Sequence, residues 1–124
     1  MNPWFLIAAI NGFLAVAAGA FGAHGLEGRV SPRALEIFQT GAHYHLTHAL
    51  AMGLAALVNR TSPAAKPARI AAWLFLAGIV LFSGSLYFLG VTESYALVLV
   101  TPVGGVCFLA GWAYLAYAAY RMTP

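Results

Sequence analysis

Long apolar runs alternate with short polar ones along this chain, and the runs exceed what the strands and helices of a soluble domain require. A helix needs about 20 mostly apolar residues to cross a hydrocarbon layer about 30 Å thick. Four segments meet that length, at about residues 3–23, 33–58, 70–89 and 95–120. Each is expected to be helical, because a bare loop or open strand in lipid leaves backbone N–H and C=O groups without partners. The pattern therefore predicts an all-α integral membrane protein, a compact bundle of four transmembrane helices that uses residues 1–124 as one domain.

Local signals support two of the starts. Asn2 followed by Pro3, and Ser31 followed by Pro32, place a capping side chain before a proline in the first helical turn, where its missing N–H costs nothing. No Lys or Arg precedes the first span, so it is expected to be retained rather than cleaved after Ala18-Gly19-Ala20.

Composition strengthens the membrane reading. The chain is 62% hydrophobic and 7% charged, against about 25% charged in soluble domains. Its six basic residues are scattered between apolar runs and form no stripe, so the bilayer and not nucleic acid is the expected partner. Their positions read as topology signals. With four spans, Arg60, Lys66, Arg69 and Arg121 fall on one side and Arg29 and Arg33 on the other, which puts both termini in the cytoplasm of a bacterial inner membrane. Cys107 is the only cysteine, which excludes an intramolecular disulfide and a thiolate metal cage.

The chemistry-bearing residues concentrate in the second span. Taking Glu36 as zero and about 100° per residue, Gln39, Thr40, His43, Tyr44, Thr47 and His48 fall on one half of the helix, while His45 points the opposite way. Because polar groups are costly in lipid, this face is expected to turn into the bundle. His45 and His48, three apart, are weak candidates for one metal or haem, but no further ligand pattern accompanies them. Thus no metal site and no cofactor is expected. Asn11 in the first span needs a partner on a neighbouring helix.

Other motifs read first as packing. Ala8, Gly12, Ala15, Gly19 and Gly22 line one face of the first span, which suits close helix approach or a homodimer seam. Ser83, Gly84, Ser85 and Tyr87 in the third span suit interhelical hydrogen bonding. Thr101, Pro102, Gly104 and Gly105 in the fourth imply either a kink or a helix that begins at Pro102. No Walker sequence, dinucleotide fingerprint, paired carboxylates or catalytic triad is present, so no catalytic residue and no enzymatic activity is expected.

Taken together, Gly19-Ala20-Phe21-Gly22-Ala23-His24, Gln39-Thr40-Gly41 with Tyr44 and His48, Phe82-Ser83-Gly84-Ser85-Leu86-Tyr87, and Thr101-Pro102-Val103-Gly104-Gly105 with Gly111-Trp112 resemble the YgdD/YwdK-like family of small bacterial membrane proteins. The resemblance implies a four-helix inner-membrane protein and supplies no activity. It also implies that His24 and His48, more than His43 and His45, are the histidines that matter. On that view His24, Gln39, Thr40, Tyr44, His48, Ser83, Ser85, Tyr87 and Thr101 would share one polar pocket. Three functional readings stay open. One is a non-enzymatic bundle whose histidine-containing face packs or binds a lipid, a small hydrophobic ligand or a partner. Another is an oligomeric transporter or channel for small solutes or protons, and the third a histidine-ligated haem or metal protein.

Overall fold

The computed structural model describes residues 1–58 and 64–122. Arg60, counted above among the topology signals, lies outside the described residues. Helix α1 (Pro3–Phe21) runs into a π-helical turn at Gly22–Leu26, and α2 spans Pro32–Val58. Helix α3 (Ala65–Gly78), a π-helical segment (Ile79–Ser83) and α4 (Gly84–Thr92) follow one another without a break, and α5 covers Val100–Arg121. These are four rods of 24, 27, 28 and 22 residues, each at least about 33 Å long at 1.5 Å per residue. Three of them are also apolar enough to cross a membrane, with mean hydropathies of 2.0, 2.1 and 1.4. The exception is α2, the rod that carries Glu36 and three of the histidines.

Both expected caps are present. Asn2 Oδ1 accepts the Phe5 N–H at 3.1 Å, and Ser31 Oγ accepts that of Ala34 at 3.1 Å. Two helix bounds differ from the sequence expectation. The third rod starts at Ala65 and not near Ile70, because Lys66 and Arg69 are good helix formers and Pro67 sits in the first turn, where no N–H is needed. The fourth starts at Val100 and not near Tyr95. In a helix the Pro102 ring would strike the carbonyl of Val98, so the chain turns through Tyr95–Leu99 and becomes helical only afterwards. Pro102 is then the third residue of α5, within two residues of the start expected for a helix that begins at Pro102.

The bundle is built on α2. It packs against α1 on one side and against α3 and α4 on another, while α5 lies on α3 and the π segment. Small residues make this possible: Ala8 of α1, Ala51, Met52 and Ala55 of α2, Ala71, Ala72 and Phe75 of α3, and Phe108 of α5 form the main core. Lipid gives no hydrophobic drive for helix association, so close van der Waals contact between such faces holds the rods together. At one end Asn2 reaches the Ala56 carbonyl and Trp4 meets Trp73 edge to face at 4.9 Å. At the other, the Glu93 carboxylate accepts the Ser31 N–H at 3.3 Å, which ties the two connections 27–31 and 93–99 together.

Glycines divide sharply by position. Gly12, Gly19 and Gly84 face open space. At Gly104 the π segment comes so close that an added Cβ would lie 2.7 Å from Phe82 Cβ and 2.8 Å from Phe82 Cα. Gly22 is also tight, since a Cβ there would meet the Gln39 amide carbon at 2.9 Å and the Phe38 ring at 3.0 Å. Gly105 is roomier, with Phe82 Cδ2 at 3.9 Å.

Candidate functional site

The face of α2 that turns inward is largely the opposite of the one its polarity suggests, with His48 and the half-buried Gln39 of the polar half kept against the bundle. Ala34, Phe38, Gly41, Ala42, His45, His48, Ala49, Met52 and Ala56 are buried, whereas Glu36, Thr40, His43, Tyr44 and Thr47 are exposed. The physical reason lies in two local facts. The small residues permit close approach of α1, α3 and α4. The threonines meanwhile satisfy themselves: Thr40 Oγ1 donates to the Glu36 carbonyl and Thr47 Oγ1 to that of His43, each at 3.0 Å.

His45 sits at the centre of the inward face and bolts three helices together. The Asn11 amide on α1 donates to its own helix at the Ile7 carbonyl, 2.9 Å away, which leaves Oδ1 to accept from His45 Nε2 at 2.9 Å. His45 therefore carries its proton on Nε2, and Nδ1 accepts the Tyr87 hydroxyl of α4 at 2.8 Å. A directed chain runs from Tyr87 through His45 and Asn11 to Ile7. Sequence reasoning saw that Asn11 needed a partner but placed His45 away from the site. The usable signal was the row of small residues flanking His45 at helical spacing.

His48 takes the opposite tautomer. Its Nδ1 lies 2.8 Å from the Tyr44 carbonyl, which can only accept, and Trp112 Nε1–H donates to Nε2 at 3.1 Å. The ring also stacks on Phe108 with centroids 3.6 Å apart and an 8° interplanar angle. Both nitrogens of His45 and of His48 are thus engaged, and the two rings address different neighbours instead of converging on one ion.

The expected single pocket is dispersed into separate contacts. Ser83, fully buried, donates to the Gly41 carbonyl at 2.8 Å. Ser85 donates to the Phe82 carbonyl at 2.8 Å, so the Thr101 hydroxyl donates to Ser85 Oγ at 2.5 Å. Gln39 Nε2 reaches the Gly19 carbonyl at 3.2 Å. Tyr87 belongs with His45, Tyr44 with His48, Thr40 with its own helix, and His24 is exposed on the π-helical turn after α1. Among the described residues, no buried side-chain nitrogen or oxygen lacks a hydrogen-bond partner.

One concavity collects several of these groups. Between α2 and α5 lies an open groove of about 430 Å³ lined by Tyr44, Thr47, His48, Phe82, Phe108 and Trp112, with Gly105 leaving room on the α5 side. Its walls are an aromatic cluster: Tyr44 packs on Phe82 at 4.9 Å, and Phe82 lies 5.4 Å from Phe108. Phe82, Phe108 and Trp112 had no assigned role in the sequence reading, since aromatic residues in an apolar run carry no local signal of a cavity.

Comparison with known proteins agrees with this architecture. Residues 18–105 match the model of a family described as "Protein of unknown function (DUF423)". The chain is 44% identical to the UPF0382 membrane protein YwdK of Bacillus subtilis, over 98% of both chains. It is 45% identical to the UPF0382 inner membrane protein YgdD of Escherichia coli, over 94% of this chain and 88% of that one. A UPF0382 membrane protein of Haemophilus influenzae is 42% identical, over 97% and 95%. No solved structure matches the chain. A helical membrane bundle that carries this family's motifs through most of its length, the chain belongs to the DUF423 family of membrane proteins.

Proposed function

We propose that this protein is a non-enzymatic bundle of the bacterial inner membrane, with both termini in the cytoplasm, that holds a lipid or a small hydrophobic ligand in the groove between α2 and α5. The location draws on the Escherichia coli relative YgdD, which is named an inner membrane protein. The orientation rests on Arg60, Lys66, Arg69 and Arg121 against Arg29 and Arg33.

The observation that carries the proposal is the groove itself. Its volume of about 430 Å³ falls within the usual range of ligand pockets, about 300–1,000 Å³, and its mix of aromatic walls with a few polar groups is what such sites share. The Tyr44 hydroxyl and the Thr47 side chain can orient a polar end of the occupant, and the Phe82, Phe108 and Trp112 rings can pack its apolar body. His48 is a positioning residue, fixed by Tyr44 and Trp112. Asn11, His45 and Tyr87 act as an interhelical bolt. This reading requires no cofactor, and it favours binding over transport because the buried polar side chains are spent on one another.

Native mass spectrometry in mild detergent tests it, with wild type compared to Gly105→Leu. Wild type is expected to retain one hydrophobic molecule per chain. Gly105→Leu, which fills the groove from a position with space for a side chain, is expected to lose that molecule with at least about tenfold weaker binding, equivalent to about 1.4 kcal/mol, at an unchanged melting temperature. Equal retention by both proteins, or none by wild type, overturns the proposal.

A further inference from the structure

The exposed face of α2 carries a row of residues that the ligand groove touches only at Thr47. Glu36, Thr40, His43, Thr47, Leu50, Leu54 and Leu57 are all exposed and follow one another at spacings of four and three in strict alternation. That is the a/d spacing of a coiled-coil seam. Every helix has such rows; composition distinguishes this one. The exposed apolar residues of α1 include Phe13, Leu14 and Val16, and those of α5 include Val103, Val106 and Leu109, as lipid contact demands. On α2 the half of the row near the 27–31 connection is polar, and the other half is leucine.

We propose that this row is the interface of a parallel homodimer in which the α2 helices of two copies pack on each other about a two-fold axis normal to the membrane. Three observations favour a second copy of this chain as the occupant. First, the His43 ring lies at about 16 Å along the helix from Pro32, at 1.5 Å per residue, and has no hydrogen-bond partner among the described residues. Acyl chains cannot supply one. An imidazole carries one donor and one acceptor, so the ring of one copy can donate a single N–H···N bond to the ring of the other across the axis. Second, Glu36 is already paired with Arg33 at 2.7 Å, so the end of the seam brings no uncompensated charge to the contact. Third, Leu50, Leu54 and Leu57 are 66%, 53% and 54% exposed and supply the bulky knobs of such a seam. A polar residue within it, here His43, sets register and pair number. The ligand groove opens on the flank of the row that carries Tyr44 and His48 and meets the row at Thr47 alone, whose hydroxyl already donates to the His43 carbonyl of its own helix.

Disulfide cross-linking of the full chain in lipid nanodiscs tests the proposal, in a Cys107→Ser background with single cysteines at 40, 47, 50 or 54 and controls at 16 and 109. Dimers are expected from the row and not from the controls. In native mass spectra, His43→Leu is expected to weaken the dimer about tenfold, and His43→Asn, which keeps a donor and an acceptor, to preserve it. Cross-linking at the controls equal to that at the row, or an undiminished dimer in His43→Leu, overturns the proposal. So does a wild-type mass of one chain, whether with lipid or with a different protein bound.

Discussion

Replacing Gly104 with valine is expected to be the most damaging single change, lowering stability by about 3 kcal/mol or more. The site is buried, and the groups that a new Cβ would strike are backbone or near-backbone atoms of Phe82, at 2.7 and 2.8 Å. A flexible side chain could swing aside, but the Phe82 main chain is held within the π segment between α3 and α4. The helices must therefore separate, which strips contacts from Phe108 and from the Ser85–Thr101 bond beside it. Gly105→Ala is the control, because its nearest atom lies at 3.9 Å, and it is expected to change stability by less than about 0.5 kcal/mol. An SDS-unfolding titration in mixed micelles reads both. Equal stability of the valine variant and wild type would mean that α5 does not pack on the π segment as described.

His45→Leu is expected to cost about 2–4 kcal/mol. Interhelical hydrogen bonds in membranes are individually modest, about 0.6 kcal/mol on average and at most about 1.7, so two lost bonds do not account for the whole effect. The remainder comes from leaving the Asn11 carbonyl oxygen and the Tyr87 hydroxyl unpaired among apolar groups. That cost has a signature in a mutant cycle. Asn11→Leu/His45→Leu/Tyr87→Phe removes the orphaned groups together with the histidine and is expected to be more stable than His45→Leu alone. The same titration measures it, and strict additivity of the three single changes would remove the bolt from the account.

The number of helices and their places along the chain were legible because length in lipid is set by the bilayer, and polar punctuation at Asn2, Ser31 and Gly90–Ser94 stands out against apolar runs. The start of α5 was less so, since Tyr95–Leu99 is apolar enough to be helical and only the reach of the Pro102 ring decides otherwise. The orientation of α2 was misjudged for a physical reason. The rule that polar groups turn inward treats Thr40 and Thr47 as needing outside partners, whereas each bonds to its own helix. The row of Ala34, Gly41, Ala42, Ala49 and Ala56, which permits close packing, is the stronger determinant. The aromatic groove was not legible at all, because Tyr44, Phe82, Phe108 and Trp112 come from three separate spans and meet only in the folded bundle.

The central claim is that α2 turns His45 and His48 inward and that each ring has both nitrogens bonded to specified neighbours. Nitrogen-15 solid-state NMR of imidazole-labelled protein in bilayers tests this most directly, with His45→Leu and Trp112→Phe used for assignment. The account predicts opposite tautomers, with the proton on Nε2 in His45, where Asn11 accepts it, and on Nδ1 in His48, where the Tyr44 carbonyl accepts it. The same tautomer in both rings, or a His48 signal that is unchanged when Trp112 loses its indole N–H, would contradict it.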